Sequence, residues 1–265
     1  ADRVLVVAVG RLAKLSPPWG EIDLLLNNAG LAPPTDPLAE TDWERIETVI
    51  DTNVTGTLNL LEEAVAAGIG VFIFTSTTSV FGRALTPAPG DPAAWITEDV
   101  TPVPRNIYGV TKVTAENLCE LVHRDRGLAC LILRTSRFFP EADDRKETRD
   151  AFADANVKGN EFLYRRADIE DVASAHVRAL ERAGSIGFGR YIVSATTPLT
   201  RDDLGDLRTD APGVVRHRVP DYEHAYAARG WRMPSRSKCW FKDLLNYLRC
   251  NSSSRAMVFK SARVS

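Results

Sequence analysis

Val71-Phe72-Ile73-Phe74-Thr75-Ser76-Thr77-Thr78-Ser79 starts as an unbroken apolar run and finishes as an unbroken run of hydroxyls. An apolar run with no polar alternation is the pattern of a strand covered on both faces. The helical pattern before it runs from about Thr41 to about Ala67 and stops at Gly68. Thr41 reads as its N-cap, with Glu44 three residues later. After the hydroxyls, a proline-rich loop from Arg83 to Arg105 leads into a second helical pattern, Tyr108 to about Gly127, and then a strand, Leu128 to Leu133. Upstream, Arg3–Val9 and Ile22–Leu26 are apolar runs closed by Gly10 and by Asn27-Asn28-Ala29-Gly30. Strands alternating with helices predict an α/β fold, a mostly parallel sheet covered by helices.

Beyond Pro140 the chain changes character. Glu141 to Asp154 is heavily charged, and Asp168-Ile169-Glu170-Asp171 opens a helix through His176 to about Ala183. Arg190 to Ser194 is a further strand, and from about Ser235 the chain turns basic. Three regions follow: a core over 1–140, a region over 141–234 with late core elements, and a tail over 235–265 expected to be peripheral or disordered.

Composition narrows the function classes. The 265 residues carry 44% hydrophobic and 26% charged side chains with a net charge of -2. That balance gives no reason to expect a nucleic-acid or anionic-membrane partner. No apolar run reaches membrane-span length and none reads as a signal peptide, so a cytoplasmic setting is expected. The cysteines Cys119, Cys130, Cys239 and Cys250 lack metal-ligand spacing, and His123, His176, His217 and His224 are scattered, so no metal site is expected. Asp168, Glu170 and Asp171 read as a helix cap and dipole partners.

Residues four apart share a helix face, so Tyr108 and Lys112 stand one turn apart on one side. An ammonium there would favour the phenolate and draw the tyrosine pKa toward neutrality, giving a side chain able to trade a proton with a hydroxyl or carbonyl. Ligand sites of parallel sheets lie at the carboxyl ends of strands. Two polar clusters sit at such ends. Asn27–Gly30 is either a plain turn or a place where a flat ligand approaches the backbone. Thr75–Ser79 either caps the next turn or supplies a donor to a substrate carbonyl. Asn53, in mid-helix, is either exposed or kept for a water network. Arg134 and Arg137 could meet a substrate phosphate or form surface ion pairs.

Asn27-Asn28-Ala29-Gly30, Asn53-Val54-Thr55-Gly56-Thr57, the hydroxyl run with Val80-Phe81-Gly82, and Tyr108-Gly109-Val110-Thr111-Lys112 come in an order that resembles the short-chain dehydrogenase/reductase superfamily. Phe74 to Gly82, Glu98 with its prolines, Tyr108 to Lys112, and Arg166 to His176 resemble its extended subgroup, the NAD-dependent epimerases and dehydratases. The resemblance implies a Rossmann-like doubly wound sheet, with 141–234 on the substrate side. It implies an NAD(P)-dependent epimerase, dehydratase or oxidoreductase acting on a secondary alcohol or ketone, a nucleotide sugar among the candidates. Tyr108 would be the general acid/base, and Lys112 would lower its pKa and hold the nicotinamide ribose. Thr77 would be the active hydroxyl, with Ser76 and Thr78 as alternatives, and Asn53 would support a proton-relay water. Asn28, Ala29, Gly30, Thr75, Tyr108, Lys112, Phe138 and Pro140 would border NAD or NADP. A homodimer through two core helices is also implied.

The chain departs from that pattern at its start. The family's first strand leads into a glycine-rich turn that binds the pyrophosphate. Here Gly10 is followed by Arg11-Leu12-Ala13-Lys14, and the next glycine is Gly20. The sheet is therefore expected to be abbreviated at its N-terminal side, with an open edge. Ile22 to about Leu60 is more similar to the single-domain subgroup, and the part after Leu61 to the extended one. Two other readings follow: a non-catalytic remnant of the fold, or a single-domain carbonyl reductase.

Overall fold

A computed structural model describes residues 4–7, 24–27, 30, 42–88, 91–139, 166–194, 199–218 and 239–241. Strands β1 (Val4–Val7), β2 (Leu24–Asn27), β3 (Val71–Thr77), β5 (Ala129–Thr135) and β8 (Phe188–Val193) form one five-stranded sheet in that spatial order. All four neighbouring pairs are parallel. This is the Rossmann-like α/β sheet expected from the sequence. The described strands follow chain order, without the reversal of a complete doubly wound sheet. Short pairs lie outside it. β4 (Ala94–Ile96) pairs with β9 (Cys239–Phe241), and β6 (Arg137–Phe139) with β7 (Arg166–Asp168).

The unbroken apolar strands are explained by helices on both faces. Phe72, Phe74, Cys130 and Ile132 pack with Leu60, Leu61 and Ala64 of α2 (Gly56–Ala66) and Ala115 and Cys119 of α3 (Ile107–Arg126). The alternate residues Ile73, Leu131 and Leu133 pack with Val172, Ala175, Ala179 and Ala183 of α4 (Ile169–Ile186). A period of two along each strand thus feeds two separate cores.

The helix ends follow local chemistry. α1 (Trp43–Ile50) is capped by Asp42, whose carboxylate accepts from the Glu44 N–H at 3.2 Å. The expected cap, Thr41, lies outside the described residues. Gly68 stops the helical stretch with φ +69°, as expected. That stretch is interrupted by a π-helical turn at Asp51–Thr55, which the periodicity did not show. Asn106 caps α3 by accepting from the Gly109 N–H at 2.9 Å, and Gly127 ends it in the left-handed conformation.

The proline-rich loop is tied down at Gly82 (φ +49°), where the chain runs against Val103. Arg83 N–H donates to the Val103 carbonyl at 2.7 Å, and Val103 N–H donates to Phe81 at 3.3 Å. Glu98 accepts from the Ile192 N–H at 3.2 Å, satisfying a donor on β8, at one end of the sheet order. Downstream, Leu199, Leu207, Ala211 and Val215 form a small cluster around Ala93. Residues 141–165 and the tail other than Cys239–Phe241 lie outside the described residues. Among the described residues, no helix is long and apolar enough to cross a membrane, and no cluster of His, Cys, Asp and Glu could hold a metal.

A Cβ on Gly82 would lie 2.2 Å from the Val103 carbonyl oxygen and 2.8 Å from the Arg105 nitrogen. Gly82→Ala is expected to destabilise the chain by roughly 3 kcal/mol, because backbone strain and overlap add. Urea unfolding measures this, and an unchanged midpoint would contradict it.

Candidate active site at the carboxyl ends of the strands

The site is built on the first turns of α3. Gly109 lets that turn lie close to the turn after β3: an added Cβ would come within 3.2 Å of Ser79 O, Pro104 Cβ and Asn106 Oδ1. This brings Tyr108 to the end of β3, where its phenol comes beside the Thr77 hydroxyl. Thr77 Oγ1 also accepts from the Ser79 N–H at 3.1 Å. Of the candidate hydroxyls, Thr77 is the one that meets Tyr108. Ser76 is committed elsewhere, donating to Glu116 at 2.6 Å.

Lys112 follows one turn later and is 3% exposed. Its Nζ donates to the Thr75 carbonyl at 2.7 Å and stands 4.1 Å from the centre of the Phe74 ring. Burial pushes its pKa down to about 8, against the pull of the Glu116 carboxylate. Tyr108 differs from the expectation based on spacing. Burial raises its pKa, the Thr77 hydrogen bond offsets this only in part, and the phenol stays protonated at neutral pH.

Asn53 sits in the π turn and is 1% exposed, which decides between its two readings in favour of a buried polar group. Its Nδ2 donates to Thr111 Oγ1 at 3.0 Å, and Thr111 Oγ1 donates to the Tyr108 carbonyl at 2.9 Å. A π turn at a functional site is a recurrent arrangement, because the wider turn re-aims a side chain. Gly30 closes the group: a Cβ there would lie 3.7 Å from both Asn53 Oδ1 and Lys112 Nζ. The structure therefore brings together Thr77, Tyr108, Lys112, Asn53, Gly30 and the backbone of Thr75. Phe138 lies in β6, opposite Ala167. Asn28, Ala29 and Pro140 lie outside the described residues.

Two features escaped the sequence reading. Arg134 is neither a surface ion pair nor a phosphate ligand. It is buried, with Nη2 2.7 Å from Glu116 Oε2 and Nε 3.1 Å from Oε1. Arg190 Nε lies 3.4 Å from the same carboxylate. The signal was present, since an arginine inside an apolar strand needs a buried partner, and Glu116 continues the spacing of Tyr108 and Lys112. The second is His176, which reaches Thr75 from the opposite face of the sheet.

The residues present fit the ribose–nicotinamide half of a dinucleotide. Lys112 spends one of its three N–H donors on Thr75, and Gly30 leaves an open approach beside it. The residues between β1 and β2, where a phosphate turn would stand, lie outside the described residues.

The sequence profile of the NAD dependent epimerase/dehydratase family matches residues 38–193, more than half of the chain. The chain belongs to the NAD-dependent epimerase/dehydratase family. It is 39% identical to GDP-6-deoxy-D-mannose reductase of Pseudomonas aeruginosa over 191 residues, covering 65% of this chain and 59% of that protein. The chain thus spans less than two thirds of that relative's length. The structure of RMD from Pseudomonas aeruginosa complexed with NADPH superposes with a TM-score of 0.53 at 21% identity, covering 91% of this chain and 78% of that one. UDP-glucuronic acid 4-epimerase from Bacillus cereus in complex with UDP-glucuronic acid and NAD gives 0.51 at 19% identity, covering 89% and 71%. These two likenesses concern the fold, and the family profile carries the membership.

Two predictions test this family member's buried charges. The Lys112 pKa, about 8, lies below its ordinary 10.5, so the folded chain disfavours the ammonium. The penalty is complete below the folded value and fades as pH rises toward the unfolded one. Stability relative to Lys112→Met should improve by up to roughly 3 kcal/mol between about pH 8 and pH 10. A difference that does not change with pH would contradict the burial. Arg134→Leu takes the closer of two cationic partners from the buried Glu116, leaving Arg190 and Ser76, and should cost about 3 kcal/mol, part of which the added Glu116→Leu restores. Chemical denaturation checks this, and equal stability of the single and double variants would refute it.

Proposed function

We propose that this chain is an NAD(P)-dependent epimerase, dehydratase or reductase acting on a secondary alcohol or ketone of a nucleotide-linked sugar. The observation that carries the reading is the Tyr108 phenol placed beside Thr77, one turn from the buried Lys112 ammonium. The names of the curated relative and of the ligands in the two structural neighbours support the substrate and cofactor classes.

The nicotinamide supplies or accepts the hydride when bound. Tyr108 gives its phenolic proton to the substrate oxygen, or takes the proton back in the reverse direction. Its raised pKa keeps the donor form populated at neutral pH. Thr77 hydrogen-bonds the same oxygen and holds it against the phenol. Lys112 offers donors to the ribose hydroxyls, and its positive charge favours the phenolate at the moment the proton leaves. Asn53 holds the α3 backbone at Tyr108 through Thr111. Trp43 and Ile50 on α1, with Val110 and Leu121 on α3, are exposed apolar residues and support a homodimer through these helices.

A second reading, a non-catalytic remnant, is favoured by one observation: the sequence of residues 8–23 carries no glycine-rich motif. Charge-assisted hydrogen bonds to a phosphate are worth about 1.5–3 kcal/mol each, so losing three would weaken binding by about three or more powers of ten. Titration with NADH and NADPH up to millimolar concentration, followed by nicotinamide fluorescence, separates the two. The enzyme reading expects saturable binding to at least one, and none to either overturns it. Tyr108→Phe is then expected to lower turnover by about a hundredfold or more while cofactor binding stays within a few fold.

A further inference from the structure

His176 belongs to the Arg166–His176 stretch, but it stands on α4, across the sheet from the α3 residues Tyr108 and Lys112. Its Nδ1 lies 2.8 Å from the Val172 carbonyl. A carbonyl only accepts, so Nδ1 carries the proton and Nε2 of the neutral ring is an acceptor. Burial lowers the His176 pKa against the Val172 bond, which keeps that neutral form at physiological pH. Thr75 Oγ1 lies 2.9 Å from Nε2 and donates to it. The same residue's carbonyl accepts the Lys112 ammonium at 2.7 Å. Among the described residues, the β2–β3 pairs run to Asn27 and Phe74, one residue before Thr75. Thr75 is thus held by a helix on each face of the sheet.

We propose that His176 is a positioning residue for Lys112: its ring fixes the Thr75 hydroxyl on one face of the sheet, and with it the carbonyl that orients the ammonium on the other. Among the described residues, the titratable side chains that shift Lys112 are Glu116 and Cys119 of its own helix. β3 contributes only the Thr75 carbonyl and the Phe74 ring. Glu116 is tied to Arg134, Arg190 and Ser76, so Thr75 is the direct hydrogen-bond acceptor that sets where the ammonium points. The β3–β5 ladder still holds Thr75 opposite Leu133, so an untethered hydroxyl loosens only the other side of the residue, where a small shift of the carbonyl leaves Lys112 with less compensation. The proposal rests on the function proposed above for its catalytic meaning, whereas the position of Lys112 can be read without catalysis.

The test is the pH titration of the Lys112 side chain by ¹³Cε NMR in the full chain without added nucleotide, with the resonance assigned by Lys112→Met. In the native chain the midpoint is expected at about 8. His176→Leu and Thr75→Val should each lower it by about one pH unit, the scale of a weakened hydrogen bond to a charged group. The double variant should fall no further than either single one. His176→Gln, which keeps a donor and an acceptor, should restore most of the shift. A native midpoint in His176→Leu, or a shift there that Thr75→Val does not reproduce, overturns the proposal. If His176→Leu does not fold, the near-isosteric Thr75→Val decides alone: an unchanged midpoint overturns it. An NADH titration of the same samples keeps the two readings apart. A lysine shift without NADH binding upholds the positioning role and sinks the enzyme, and NADH binding without a lysine shift does the reverse.

Discussion

A buried ammonium needs compensation, and in this fold the ammonium of Lys112 sets the terms for what surrounds it. Taking a charge out of water is expensive unless polar partners replace the solvent. The Thr75 carbonyl and the Phe74 ring meet it from β3, and Glu116 adds a carboxylate one turn further along α3. Glu116 is itself buried and requires Arg134 from β5, Arg190 from β8 and Ser76 from β3. One buried cation thus recruits a network across three strands and fixes α3 on the sheet in a single register. That register sets Tyr108 against Thr77. The apolar cores hold the layers together, but the polar network decides how the helix is placed along them.

Much of this was legible in the residues. Unbroken apolar strands announced helices on both faces, and the structure divides Phe72 and Ile73 between two cores. The spacing of Tyr108 and Lys112 and the hydroxyls after Phe74 pointed to groups that the structure brings together at one strand end. Other features depend on partners far away in sequence. Asn53 looked like a poor helix residue, and only the π turn shows how it reaches Thr111. Arg134 looked like a surface or ligand-facing charge, because spacing along one strand does not show that Glu116 faces it. The Tyr108 pKa went opposite to expectation because helix spacing shows a neighbouring charge but not the burial that outweighs it.

The family match begins at residue 38, and β1 lies beside β2 ahead of it. The region around Tyr108 and Lys112 is dense with hydrogen bonds here. The part that would hold phosphates rests mainly on backbone N–H groups and glycine conformations, and its glycine spacing is not found in residues 8–23. What distinguishes a working site is whether the phenol responds to the cofactor.

That response is measured most directly by the ultraviolet difference titration of Tyr108, isolated by subtracting Tyr108→Phe, with and without saturating NAD⁺. The phenol should ionise above its ordinary value of 10.0 in the chain alone and at distinctly lower pH once the cationic nicotinamide is added. A Tyr108 titration that NAD⁺ leaves unmoved would contradict the account.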